Sequence, residues 1–108
     1  LDWRLGDLST LAIGRRFDLV VLAGNVIGFV TSGDRIDAVR NCARHVAPGG
    51  VLVMGNQLKT TWPTVAEYDE WAALEGLESA GHRGDWAGGP LAAGADYVVT
   101  VHRRPLEA

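Results

Sequence analysis

The sequence predicts an α/β domain built on a mostly parallel sheet, and three observations carry that reading. The near-continuous branched apolar run from Phe17 to Ala23 is what a strand covered on both faces of a parallel sheet requires. A helical stripe follows at Ile36, Val39, Ala43 and Val46, with Cys42 beside it. Val51-Leu52-Val53-Met54 then follows directly on Pro48-Gly49-Gly50, a breaker that ends the helix and turns into another short buried strand. Strand, helix and parallel strand in succession make a βαβ unit, whose crossover is expected to be right-handed.

The remaining elements are placed around that unit. Leu1, Trp3 and Leu5 alternate with Asp2 and Arg4, the pattern of a strand with one buried face over Leu1 to Leu5, stopped by Gly6-Asp7. Asp34 and Asp37 sit in the first turns of the helix, and Arg44 and His45 in its last, the polarity its dipole favours. A second helix starts near Thr64, three residues before Glu67 in capping-box spacing. Tyr68, Trp71 and Leu74 give it an apolar stripe, and Gly76 ends it. Leu77 to Trp86 is a weakly patterned strand candidate. Ala87 to Ala95 is a Gly- and Ala-rich loop, and Tyr97 to Arg103 is a β-branched strand.

Composition bounds the function. The chain has 108 residues, 47% of them hydrophobic and 21% charged, which suits one globular domain. Its longest apolar run is too short to cross a bilayer. A net charge of −3 argues against a surface that neutralises nucleic-acid phosphates. Cys42 is the only cysteine, so neither an internal disulfide nor a thiolate cluster for zinc is available, and a reducing cytoplasm is the expected compartment. The chain opens Leu-Asp-Trp with no initiator Met, and we expect it to be a piece of a longer protein.

Three strands finish alike: Leu5-Gly6-Asp7, Ala23-Gly24-Asn25 and Met54-Gly55-Asn56. Ligands of open α/β sheets bind at the carboxyl ends of the strands. A glycine there admits a ligand close to the backbone, and the carboxylate or amide beside it supplies polar recognition. Gly-Asn and Gly-Asp are also ordinary turn formers. Three such ends on one edge favour a binding crevice.

These residues carry a resemblance. "GDL" after a short strand, then "RRFDLVVLAGNVIGF" and "ARHVAPGGVLVMGNQ", is similar to the C-terminal half of a class I S-adenosylmethionine-dependent methyltransferase. The closing "AALEGLESAGHRGDW…DYVVTVHRR" resembles that family's final helix and antiparallel strand pair. The resemblance runs from about Trp3 to Arg104. It implies a Rossmann-like sheet lacking its N-terminal strands, with Tyr97–Arg103 antiparallel, and S-adenosylmethionine as the cofactor of the intact protein. It also implies that Asp7 accepts from the adenine amine with the Leu8 N–H facing the ring, and that Ala23, Gly24 and Asn25 line the methionine and methyl end. Phe17-Asp18 is a fold signature. The glycine-rich loop that cradles the methionine part and the acidic residue that holds the ribose are absent from this chain, and the lone "GNVIG" has neither their spacing nor a following dinucleotide helix. The chain alone is therefore expected to be inactive and to bind the cofactor poorly.

No catalytic residue is assigned. Methyl transfer from a sulfonium needs mainly alignment of donor and acceptor, and a base only if the acceptor must first lose a proton. His45, His82 and His102 read as surface or structural residues, and Cys42 as a small core residue. No residue set has metal-ligand spacing. Trp3 and Trp71 read as core, whereas Trp62 and Trp86 could wall an acceptor pocket or simply pack. Two other readings stand beside methyl transfer to a small-molecule acceptor. One is a non-catalytic truncated module whose exposed sheet edge pairs with a partner chain or a second copy. The other is a nicotinamide-dependent dehydrogenase fragment, which fits the closing hairpin less well.

Overall fold

The structure is a computed structural model that describes residues 3–106. Its sheet has four strands in the order β1-β2-β4-β3, with β1 at Phe17–Leu22, β2 at Val46–Gln57, β3 at Glu78–Arg83 and β4 at Tyr97–Arg103. β1 and β2 are parallel; β4 runs antiparallel to both β2 and β3. The helices are α1 (Val26–Phe29), α2 (Arg35–Arg44) and α3 (Val65–Ala73), with a 3₁₀ turn at Ser32–Asp34. The βαβ unit and the antiparallel closing strand are thus as expected. Of the parallel part, only the β1–β2 pair forms.

The strand expected over Leu1 to Leu5 does not form. Leu1 and Asp2 lie outside the described residues, and Trp3 to Leu5 pair with no strand, with Trp3 85% and Leu5 103% exposed. Alternation alone does not make a strand; the segment must also pair with a sheet edge, and Trp3 to Leu5 reach none. A second difference concerns β1. Val20 and Leu22 pack into the core against α2, whereas Leu19 (57% exposed) and Val21 (47% exposed) lie open. The outer edge of β1 pairs with no described strand. The branched run is that of a strand suited to cover on both sides; here one side is covered.

The Pro48-Gly49-Gly50 segment was expected to be a turn ahead of a short strand. It lies instead inside a twelve-residue β2, looped out between the pairs Phe17↔Val46 and Leu19↔Val51. Two features hold this bulge. The Arg104 guanidinium donates to the carbonyls of Ala43, Val46 and Glu75 at 2.9, 2.7 and 2.9 Å, and so satisfies an orphan carbonyl at the end of α2. The backbone of Arg104 also exchanges hydrogen bonds with Gly49 and Gly50. A Cβ at Gly50 would stand 2.8 Å from the Asp18 carbonyl oxygen, 2.9 Å from that of Ala47 and 3.0 Å from that of Phe17. These are backbone atoms of the sheet and cannot swing aside. Gly50→Ala is expected to cost about 3 kcal/mol by overpacking, read from the urea midpoint. Gly33→Ala, with nothing within 4 Å of its Cβ position, should move it by less than about 0.5 kcal/mol.

The second helix starts as its sequence dictates. The Thr64 hydroxyl accepts from the Glu67 N–H at 3.2 Å, and the Glu67 carboxylate accepts from the Thr64 N–H at 2.9 Å. Tyr68 is buried from the expected stripe and Trp71 half-buried, but Leu74 is 52% exposed and Ala72 takes its place against the sheet. The helix ends at Ala73, one residue short of Leu74, so the 3.6-residue period does not carry over to it.

Candidate functional site

Three connections leave the sheet at one edge, the carboxyl end of β1 and β2: residues 23–34, 58–64 and 84–96. The third belongs there because β4 runs antiparallel, so that its first residue, Tyr97, pairs with Gln57, the last of β2. A single side chain ties the first two together. Arg35 donates to Gly28 O at 2.9 Å, Val30 O at 3.1 Å and Thr61 O at 2.8 Å. Phe29, 75% exposed, meets Trp62 edge to face at 5.3 Å, a favourable aromatic geometry.

The chain turns sharply at the end of β1. Gly24 and Asn25 both have positive φ, 84° and 65°, a conformation that glycine and asparagine adopt at least cost. The Asn25 N–H donates to Gly55 O at 3.2 Å, and its side-chain Oδ1 accepts from the Gln57 N–H at 2.8 Å. Asn25 therefore stitches the ends of the two parallel strands together, a structural duty that composition alone did not reveal. Its Nδ2 makes no bond to another described residue and remains a donor.

Gly55 lies beneath the third connection. A Cβ there would be 2.4 Å from both the Trp86 ring and the Tyr97 hydroxyl. Trp86 Nε1 donates to that hydroxyl at 2.9 Å. An indole N–H only donates, so the phenolic oxygen accepts and its own proton points elsewhere. Asn25, Gly55, Trp86 and Tyr97 form one connected group at the sheet edge. Trp86 was a candidate from the sequence; Tyr97 was missed, because a strand-opening tyrosine carries no signal until the antiparallel register places it beside Gln57.

Asp7 and Leu8 lie in a loop that α2 holds. Asn41 Nδ2 donates to Leu8 O at 2.9 Å and to Leu11 O at 2.8 Å. His45 Nδ1 lies 2.7 Å from Asn41 O, and Nε2 accepts the Ile13 N–H at 3.2 Å. That pattern requires the proton on Nδ1 and gives His45 a scaffold role. Asp7 Oδ1 accepts from the Ser9 hydroxyl at 2.7 Å and the Ser9 N–H at 2.9 Å. These bonds hold the carboxyl below its usual range, so it stays ionised. Oδ2 carries no bond to another described residue. Leu8 and Leu22 line an apolar cleft of about 290 Å³ between this loop and β1. The structure thus brings Asp7-Leu8 alongside β1, and Ala23-Gly24-Asn25 to its end.

Asp7 presents an ionised acceptor beside an apolar cleft, and Asn25 an amide donor at the end of β1. Cys42 is buried, and burial pushes its thiol up to about 11, so it is no nucleophile at neutral pH. Among the described residues no group of His, Cys, Asp and Glu is arranged to hold a metal ion. No helix of the described chain is long and apolar enough to cross a membrane.

By sequence, no family model and no curated protein matches the chain. By structure, it is similar to a TehB-like S-adenosylmethionine-dependent methyltransferase from Corynebacterium glutamicum. The TM-score is 0.83 at 32% identity over 94% of this chain and 55% of that one. It is also similar to the CcbJ methyltransferase of Streptomyces caelestis, with a TM-score of 0.79, 19% identity, and 94% and 62% of the two chains covered. The N-methyltransferase NodS of Bradyrhizobium japonicum, bound to S-adenosyl-L-homocysteine, matches at TM-score 0.70 and 20% identity, with 95% and 54% covered. The last two likenesses speak to the fold. The chain spans between 54% and 62% of the length of these solved relatives, and it has the fold of part of a class I S-adenosylmethionine-dependent methyltransferase domain.

Proposed function

We propose that the chain forms the acceptor-side portion of a methyltransferase that uses S-adenosylmethionine and acts in the cytoplasm on a small-molecule acceptor. The observation that carries this reading is the parallel β1–β2 pair with a closing antiparallel hairpin. It matches the Corynebacterium methyltransferase over 94% of this chain at 32% identity. The cofactor, when bound, supplies an electrophilic methyl group. The chain's own residues bind and align. Asp7 Oδ2 accepts from the adenine amine, the Leu8 N–H faces the ring, and Ala23, Gly24 and Asn25 line the methionine and methyl end.

On the acceptor side, the Trp86–Tyr97 pair and the Phe29–Trp62 pair flank the end of β2. They give the crevice aromatic walls and a phenolic O–H that can orient a polar atom. No general base is assigned. Both nitrogens of His45 are engaged, and His82 and His102 sit on the Asp69 carboxylate. That suits a reaction in which alignment supplies most of the rate. The test is transfer of tritium from methyl-labelled S-adenosylmethionine by the full-length protein into a panel of small amines, phenols and carboxylates. Binding of the labelled donor with transfer to a member of the panel supports the reading. Failure to bind the donor at all overturns it.

A second reading is favoured by the free edge of β1 and the open Leu19–Val21 face: a non-catalytic module that pairs with a partner chain or a second copy. The coding sequence upstream of Leu1 separates the two. A glycine-rich strand-loop-helix supports the enzyme, and a stop codon or an unrelated domain supports the module.

A further inference from the structure

Between α3 and the β3–β4 hairpin, one carboxylate serves two imidazoles. His102 Nε2 on β4 lies 2.7 Å from Asp69 Oδ1, and His82 Nε2 on β3 lies 2.9 Å from Oδ2 and 3.1 Å from Oδ1. An ionised carboxylate only accepts, so both rings carry their proton on Nε2. His102 is completely buried, whereas the side chains of His82 and Asp69 are 32% and 30% exposed. The buried Nδ1 of His102 meets no donor or acceptor among the described residues.

The groups that face His102 are few. Asp69 reaches it from α3 and His82 from β3; β2 presents Leu52 across the register and β3 presents Ser79. Glu78, Arg83 and Arg103 of the same hairpin are exposed. A proton added to His102 would place a charge on a completely buried ring, which Asp69 offsets only in part, and aim a new N–H at nothing that accepts it among the described residues. The closed arrangement therefore favours the neutral ring.

We propose that Asp69, His82 and His102 form a proton-linked clamp, which holds the β3–β4 hairpin against α3 while His102 is neutral and loosens it when His102 takes up a proton. The hairpin carries the 84–96 connection, and so Trp86 above Gly55. Loosening the clamp reaches the candidate site without touching it.

The direction of the linkage follows from burial, which pulls His102 below its ordinary 6.5 and outweighs the opposing pull of Asp69, with His82 adding to the depression. Between its folded value and 6.5, the opened hairpin holds a proton that the closed one lacks. Stability contributed by the clamp is full above pH 6.5 and is lost as pH falls below it. One linked proton multiplies opening by up to about tenfold per pH unit.

Hydrogen exchange of the full-length protein at pH 7.5, 6.5 and 5.5, corrected for intrinsic rates, tests the clamp. Opening of β3 and the 84–96 connection should rise by up to about tenfold between pH 6.5 and 5.5, with β1 unchanged. In His102→Gln, which keeps a side-chain N–H for Asp69 but cannot titrate, that rise should vanish. A rise spread evenly over the sheet, or a hairpin indifferent to pH, overturns the proposal. Should His102→Gln not fold, nuclear magnetic resonance of the wild-type ring decides. His102 should gain its second proton only as hairpin protection is lost, and a ring that titrates with protection intact overturns the clamp.

Discussion

Titrated with S-adenosylmethionine, the isolated 108-residue chain should bind with a Kd weaker than about 1 mM, where the full-length protein should bind in the micromolar range. The difference is at least about 4 kcal/mol. The physical reason lies in what the two ends of the crevice can offer. On the proposed reading, Asp7 Oδ2 and the cleft beside Leu8 supply an adenine contact and Asn25 Nδ2 a donor. One or two hydrogen bonds to an unanchored ligand contribute about 1–3 kcal/mol, less than the freedom lost on association. The parts that hold the methionine moiety and the ribose in the resembling family have no counterpart in the sequence. Isothermal titration of both proteins in one buffer measures the gap. Micromolar binding by the 108 residues would mean that the contacts described here suffice, and the assignment of the missing parts would fall.

The second large effect is expected at Asn25 in the full-length protein. Asn25→Asp keeps an oxygen for the Gln57 N–H and removes the Nδ2 donor. If that donor serves the cofactor's amino-acid end or the acceptor, loss of one bond to a charged group costs about 1.5–3 kcal/mol. Turnover efficiency then falls by roughly one to two orders of magnitude, with the melting temperature within a few degrees of wild type. Asn25→Ala removes both functions. It also costs stability through the bond to Gln57 and the φ of 65°, since alanine in the left-handed region costs about 1–2 kcal/mol and the lost bond about 1 kcal/mol more. Its melting temperature should drop several degrees further than that of the aspartate variant. Single-turnover methyl transfer and melting curves on the same preparations distinguish the roles. An aspartate variant with wild-type turnover would leave Asn25 a turn residue alone.

How much of this was legible in one chain depended on the range of the interaction involved. Local signals read correctly. The Thr64–Glu67 capping box, the α2 stripe through Val39 and Ala43, the β-branched Tyr97–Arg103 strand and the loop before it all depend on residues within a turn or two. Each was set by propensity, capping and period, which are encoded nearby. The antiparallel direction of β4 was legible only through resemblance to a family.

The misreadings share a cause. Trp3 to Leu5 alternate as a strand should, yet a strand forms only by pairing with another's edge, and these residues pair with none of the described strands. Pro48-Gly49-Gly50 reads as a turn, but the backbone and side chain of Arg104, 54 residues beyond Gly50, hold it as a bulge within β2. Asn25 reads as a crevice residue free to meet a ligand, until Gln57 claims its oxygen. The Asp69–His82–His102 cluster draws one residue from each of three elements and left no trace in spacing. The sequence by itself determined the elements, their order and the small polar residues at the strand ends, because those follow from short-range chemistry. Tertiary structure alone decided which of those polar groups are already paired, which histidine is buried neutral, and which sheet face is left open. Those outcomes depend on partners that meet only when distant segments pack.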